Sequence, residues 1–151
     1  MRILFFNDSL VGGGKERRFV QLIKGLNERG HNDLHLISLS DVNDYPIIYN
    51  YNINLHIVKR NMKWDLSVFF KLFSCIKKIN PDIIHTWSIM TSFYVSIICK
   101  ILNIPHISGF IANSNGIKRF SIYSIAKALS YGFADVIVGN SAAGLNAYKA
   151  P

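Results

Sequence analysis

The stretch NDSLVGGGKERRFVQLIKGL, residues 7–26, sets three consecutive glycines between a short apolar run and a helical pattern. A run of glycine loses backbone entropy on folding and packs nothing, so its placement needs a reason. Before it, residues 2–7 have the length and content of a buried strand. After it, Phe19, Leu22, Ile23 and Leu26 recur at intervals of three and four, which predicts a helix over 16–28. Gly30 then stands where a helix end needs a left-handed residue. Bare backbone at the start of a helix lets N–H groups approach an anion closely. The helix dipole adds about half a positive charge there. Gly12, Gly13 and Gly14 are therefore candidates for a phosphate or diphosphate site. The plainer reading is a turn whose glycines only supply backbone freedom.

The same alternation continues outward. Strands are predicted over 34–40, 54–58, 82–85, 106–111 and 136–139. Helices are predicted over 66–78, 92–102 and 121–130, with Ser141 opening a last one. Asp65 can cap the helix over 66–78, whose apolar face is read as Leu66, Phe69, Phe70, Phe73 and Ile76. Residues 41–52 form a polar, Asn-rich loop. Strands alternating with helices through short loops imply a parallel sheet covered on both faces, and right-handed crossovers make it a Rossmann-like, doubly wound α/β domain. No internal repeat, low-complexity tract or linker divides residues 1–151. No strand pattern follows the last helix, so the expectation is one truncated domain of a longer protein.

The chain is 50% hydrophobic and 17% charged, which suits a packed core and excludes disorder. Its formal charge of +8, from 17 Lys and Arg against 9 Asp and Glu, favours an anionic partner. Nucleic acid is not expected, because no recognition motif is present. Cys75 and Cys99 stand far apart in apolar runs and are read as reduced core residues of a cytoplasmic protein. The first residues are no signal peptide, since Asp8 cuts the apolar run short. No stretch reaches the roughly 18 apolar residues of a membrane span. Five scattered histidines give no metal signal.

Known phosphate loops separate the readings of the glycines. A Walker A loop needs Ser or Thr after its Lys, and Glu16 follows Lys15 here. A dinucleotide fingerprint needs a third glycine where Arg17 stands. Asp41, at the end of the second strand, still leaves a ribose contact and an NAD-binding oxidoreductase domain open. A stand-alone nucleotide- or phosphate-binding module is the other alternative.

GGGKERRFVQLIKGLNERGH resembles the first loop and helix of family 4 glycosyltransferases of the GT-B fold. Gly13, Gly14, Glu16, Gly30 and His31 match that pattern in order. PDIIHTW, IPHISGFIAN and ADVIVGNSAAGLNAY resemble the family's later strands and the turns after them. The resemblance covers nearly the whole chain. It implies the N-terminal, acceptor-side domain of a two-domain enzyme, with the donor domain absent. The whole enzyme would transfer a sugar from a nucleotide-sugar donor to a glycan or lipid-linked acceptor, with retention and without a metal. The nucleotide sugar would be a co-substrate, and no other cofactor is implied. The glycine loop would reach the donor diphosphate, and this chain would not turn over by itself.

Other candidates follow from position. His85, Thr86 and Trp87 end a strand where acceptor contacts belong; Asn113, Asn140 and Ser141 stand at two further strand tips. Many relatives carry a His or Arg near Asn113, but the slots here hold Ile111, Ala112 and Asn113. Ser141 also reads as a helix cap. Lys118, Arg119 and Phe120 are read as an edge that meets an anionic membrane, which would place the protein on the inner face of the cell membrane. His106 is read as structural, and His56 shows no partner in the sequence. No catalytic residue is identified.

Overall fold

The computed structural model describes residues 1–60, 65, 67–110, 122–139 and 141–142. Six strands form one sheet: β1 (Ile3–Asn7), β2 (Leu34–Ser38), β3 (Ile53–Ile57), β4 (Ile83–Thr86), β5 (His106–Phe110) and β6 (Val136–Gly139). Among the described residues four α-helices lie between them: α1 (Gly14–Glu28), α2 (Ser67–Ile79), α3 (Ile89–Leu102) and α4 (Ile122–Gly132). Every pairing is parallel and the order is β3-β2-β1-β4-β5-β6. This is the doubly wound order, and its direction reverses between β1 and β4.

Alternation along β1 feeds two cores. Ile3 and Phe5 pack with Leu34 and Leu36 under Phe19, Val20 and Ile23 of α1. Leu4 and Phe6 pack on the other face with Ile37 and Ile84, under α2 and α3. Each large side chain so enclosed contributes about 1.5–3 kcal/mol. The loop over 41–52 is not wholly irregular: Pro46–Asn50 forms a short 3-10 turn that buries Ile48 beneath the α1-side core.

The helix ends show local causes. Gly30 has φ +80, and its N–H and that of His31 bond back to Asn27 and Leu26, closing α1 with the expected left-handed residue. Asp65 caps α2 by accepting from the Ser67 N–H at 3.0 Å. Two helix readings change. The buried face of α2 is Val68, Leu72, Ile76 and Ile79, whereas Phe70 is 73% exposed. α3 starts at Ile89, three residues before the expected 92, because Ser88 and Thr91 cap each other reciprocally. Both cysteines are free, Cys99 buried and Cys75 half-buried. No described helix is long and apolar enough to cross a membrane.

Candidate functional site at the strand switch point

The reversal between β1 and β4 leaves a crevice beyond the carboxyl ends of these strands, where ligands bind in such sheets. Asn7 and Asp8 leave β1 there, and Trp87 and Ser88 leave β4. The amino ends of α1 and α3 follow directly on that side.

The glycines have a steric reading now. Gly13 precedes α1 with an extended φ of −169, and Gly14 is its first residue. Among the described glycines only Gly30 has positive φ, so backbone freedom does not explain the triplet. A Cβ on Gly14 would meet nothing within 4 Å. A Cβ on Gly13 would lie 2.5 Å from Oε2 of Glu16, whose carboxylate folds back over the helix start. Two of the three backbone donors are engaged: the Gly12 N–H donates to Asp44 at 2.7 Å and the Gly13 N–H to the Tyr45 hydroxyl at 3.2 Å. That hydroxyl in turn donates to the Gly13 carbonyl.

Lys15 joins the loop to the strand ends. Its ammonium lies 3.1 Å from Glu16 and 3.5 Å from Asp8. Asp8 also accepts from the Ser88 hydroxyl at 2.6 Å, the group that caps α3. One charged chain thus couples the starts of both helices. Two buried donors stand beside it without a hydrogen-bond partner: Nδ2 of Asn7 and Nε1 of Trp87. Such groups take an oxygen acceptor.

The expected acceptor residues divide. The His85 ring packs between Phe5 and Trp87, at 5.9 and 5.1 Å between centroids. Burial first, and the positive charge of His106 second, lower its pKa to about 4, so it is neutral near pH 7. Gly109 makes room for it, since a Cβ there would stand 3.3 Å from His85 Nε2 and 2.8 Å from the Thr86 carbonyl. Thr86 is fully enclosed on the opposite face, where its hydroxyl meets His106 at 3.0 Å and Ser92 at 2.6 Å. His106 is buried and structural, as expected, with a pKa lowered to about 4 chiefly by burial. Trp87 is 8% exposed, edge-on to Phe19. Ser141 is exposed. Asn113, Asn140, Lys118, Arg119 and Phe120 lie outside the described residues. Asp41 is exposed and ion-paired with Lys59 at 2.5 Å, so its carboxylate is already engaged. No group of His, Cys, Asp and Glu suited to a metal exists among the described residues.

Residues 12–150 match the family model for Glycosyltransferase Family 4. The chain belongs to that family. Among solved structures, the family 4 domain resembles Anabaena HepE in complex with UDP-glucose, with a TM-score of 0.78 and 18% identity, over 98% of this chain and 40% of that one. It also resembles the lipopolysaccharide outer core galactosyltransferase WaaB, with a TM-score of 0.70 and 17% identity over 100% and 43%. MurG of Acinetobacter baumannii follows, with a TM-score of 0.63 and 13% identity over 91% and 40%. These likenesses show a Rossmann-like fold of the GT-B kind. The chain spans about two fifths of the length of each of these proteins. No curated protein matches it.

The switch-point contacts also involve Asn7, Asp8, Asp44, Tyr45 and Ser88, which the sequence did not single out. Ser88 carried a signal in its spacing to Thr91, a capping box with Thr in place of Glu. Asp8 and Asn7 carried one in standing at the end of the first strand. Asp44 and Tyr45 carried none, because only the folded loop brings them to Gly12 and Gly13.

Proposed function

We propose that this family 4 domain is the acceptor-side half of a glycosyltransferase that moves a sugar from a nucleoside diphosphate sugar to a glycan or lipid-linked acceptor. The supporting observation is Gly14 at the start of α1: a Cβ there would meet nothing within 4 Å, so the helix amino end on the β1–β4 side is open at this one residue. The leaving diphosphate gains charge in the transition state, and backbone N–H groups with the helix dipole stabilise such charge. Lys15 becomes available to that anion by leaving Glu16 or Asp8. The reaction is proposed to retain configuration and to need no metal or other cofactor. His85 and Trp87 are proposed on the acceptor side, with the Asn7 and Trp87 donors serving its oxygens. The donor half lies in the remainder of a longer protein, so this chain is inactive by itself. Work on an anionic inner membrane face accounts for the charge of +8. That charge predicts co-sedimentation with acidic vesicles that fades within a few hundred millimolar salt, each basic residue giving about 1 kcal/mol. Equal recovery with neutral vesicles would remove the membrane role.

The test of the donor assignment is Gly14→Val in the full-length enzyme. The side chain has room in the fold but covers the approach to the helix start. Melting should stay near wild type while KM for the donor rises at least about tenfold, one lost charge-assisted contact of roughly 1.5–3 kcal/mol. Unchanged donor kinetics with intact folding would show that the loop does not touch the diphosphate.

A further inference from the structure

On the face of the sheet opposite α1, a cavity of about 910 Å³ lies between α2 and the outer strands. Phe70, Cys75 and Ile79 give it apolar walls. Arg2, Lys71 and Lys78 give it a basic rim, and Ser74, His35 and His56 complete the lining. Glycosyl transfer at the β1–β4 crevice makes no use of it.

The two histidines, on neighbouring strands, are joined. His35 Nδ1 and His56 Nε2 stand 3.0 Å apart, correcting the expectation that His56 has no partner. Their planes differ by 13° and their centroids are 5.3 Å apart. That separation equals the nitrogen–nitrogen distance plus about one ring radius at each end, so the rings meet in line, edge to edge, rather than face to face. The line fixes the protons. Asp33 Oδ1 lies 3.1 Å from His35 Nε2, and a carboxylate only accepts, so that nitrogen carries hydrogen. One more proton lies between the rings. His56 Nδ1 then remains, with no protein partner among the described residues.

The charged and titratable groups around the pair are Asp33 just before β2, Arg2 before β1, and Lys71, Cys75 and Lys78 on α2. The one carboxylate of this set is already held by Arg2 at 3.1 Å. The cavity thus offers apolar surface beside surplus positive charge, which is the recognition chemistry of an amphiphilic anion.

We propose that this cavity binds a small amphiphilic anion, with its apolar body along Phe70 and Ile79 and its carboxylate-class head beside Lys78 and His56, and that binding takes up one proton from solvent at His56 Nδ1. Burial first, then the repulsion that a proton on His56 would meet from the basic His35 and Lys78, keeps His56 below the ordinary imidazole range in the empty site. An anion against Nδ1 cancels that repulsion. Affinity therefore rises as pH falls, about tenfold per pH unit between the empty and occupied pKa values.

Anilinonaphthalene sulfonate keeps one charge across the neutral range, and phenylnaphthylamine is its uncharged counterpart. Fluorescence titration of the 151-residue chain with both separates charge from apolar contact. The sulfonate should bind at least about fivefold tighter near pH 6 than near pH 8, and the neutral probe equally at both. His56→Gln should abolish that pH dependence. Lys78→Glu, at an exposed position where folding is safe, should weaken the sulfonate at least about fivefold and spare the neutral probe. Decanoate below its aggregation concentration should displace the sulfonate. The proposal is overturned if the two probes bind alike, if pH dependence survives in His56→Gln, or if Lys78→Glu binds as wild type. Displacement by phosphatidylglycerol vesicles but not by decanoate would also overturn it, making the groove a bilayer-facing surface.

Discussion

His85 and His106 stand on neighbouring strands and are both held neutral by burial, with pKa values near 4 against an ordinary 6.5. The unfolded chain takes up protons below about pH 6.5 that the folded chain refuses until about pH 4. Their stabilising contribution is therefore fully present above pH 6.5 and is lost as pH falls toward 4. For the enclosed His106 the full loss is roughly 3 kcal/mol; His85, less enclosed, loses less. Asp33, Asp41 and Asp135 have lowered pKa values, so they weaken the fold only below their ordinary 3.8. Urea titrations at pH 7, 5.5 and 4.5 should thus show a loss that precedes the carboxylates. The slope should shrink in His106→Gln. A flat profile down to pH 5 would mean that neither imidazole is buried neutral. At this scale the sequence was only partly informative. It placed His85 at a strand tip, but not the enclosure of Thr86 behind it, because alternation along four residues does not say which face is the deeper one.

The elements were the most legible level, and their errors have physical causes. Each of the six strands was located to within two residues, since short apolar runs between capped helices leave little choice. The phase of α2 was only partly legible. Of the expected face, Ile76 is buried and Phe69 and Phe73 pack part-buried against the core. Phe70 turns to solvent while Val68, Leu72 and Ile79 are enclosed, because these seven apolar positions on one helix leave the sheet to select among them. Leu72→Ala should cost about 2–5 kcal/mol, while Phe70→Ser should stay within about 0.5 kcal/mol. Equal losses in thermal melts would restore the Phe70 face. The start of α3 depends on Ser88, which caps the helix and holds Asp8. Ser88→Ala should cost about 1–2 kcal/mol. In the two-domain transferase proposed above it should also raise the donor KM, because Asp8 would turn wholly to Lys15. A loss of stability with unaltered KM would make Ser88 a cap and nothing more.

Across the whole molecule, stability is graded from the centre of the sheet toward β6. β1 lies between β2 and β4, all five of its residues are buried, and helices pack on both of its faces. At the far side, β6 pairs with β5, and Val136 and Val138 remain 51% and 46% exposed on the face opposite Ile137. Only that other face meets α4, through the small cluster of Ala126, Tyr131 and Ile137. Apolar enclosure sets the cost of local opening, so the two regions should not open together. The switch-point crevice is then floored by the least mobile strands, while the β5–β6 side can shift without disturbing Asp8, Lys15 and the glycines. Native-state hydrogen exchange tests this directly. Amides of Leu4, Phe5, Phe6, Leu36 and Ile84 should exchange only through global unfolding, with denaturant dependence equal to that of the whole domain. The β6 amides bonded to β5 should exchange at least about tenfold faster and with a smaller denaturant slope, the signature of a partial opening. Uniform protection across β1, β4 and β6 would show one cooperative unit, and the rigidity of the crevice would then owe nothing to its central place in the sheet.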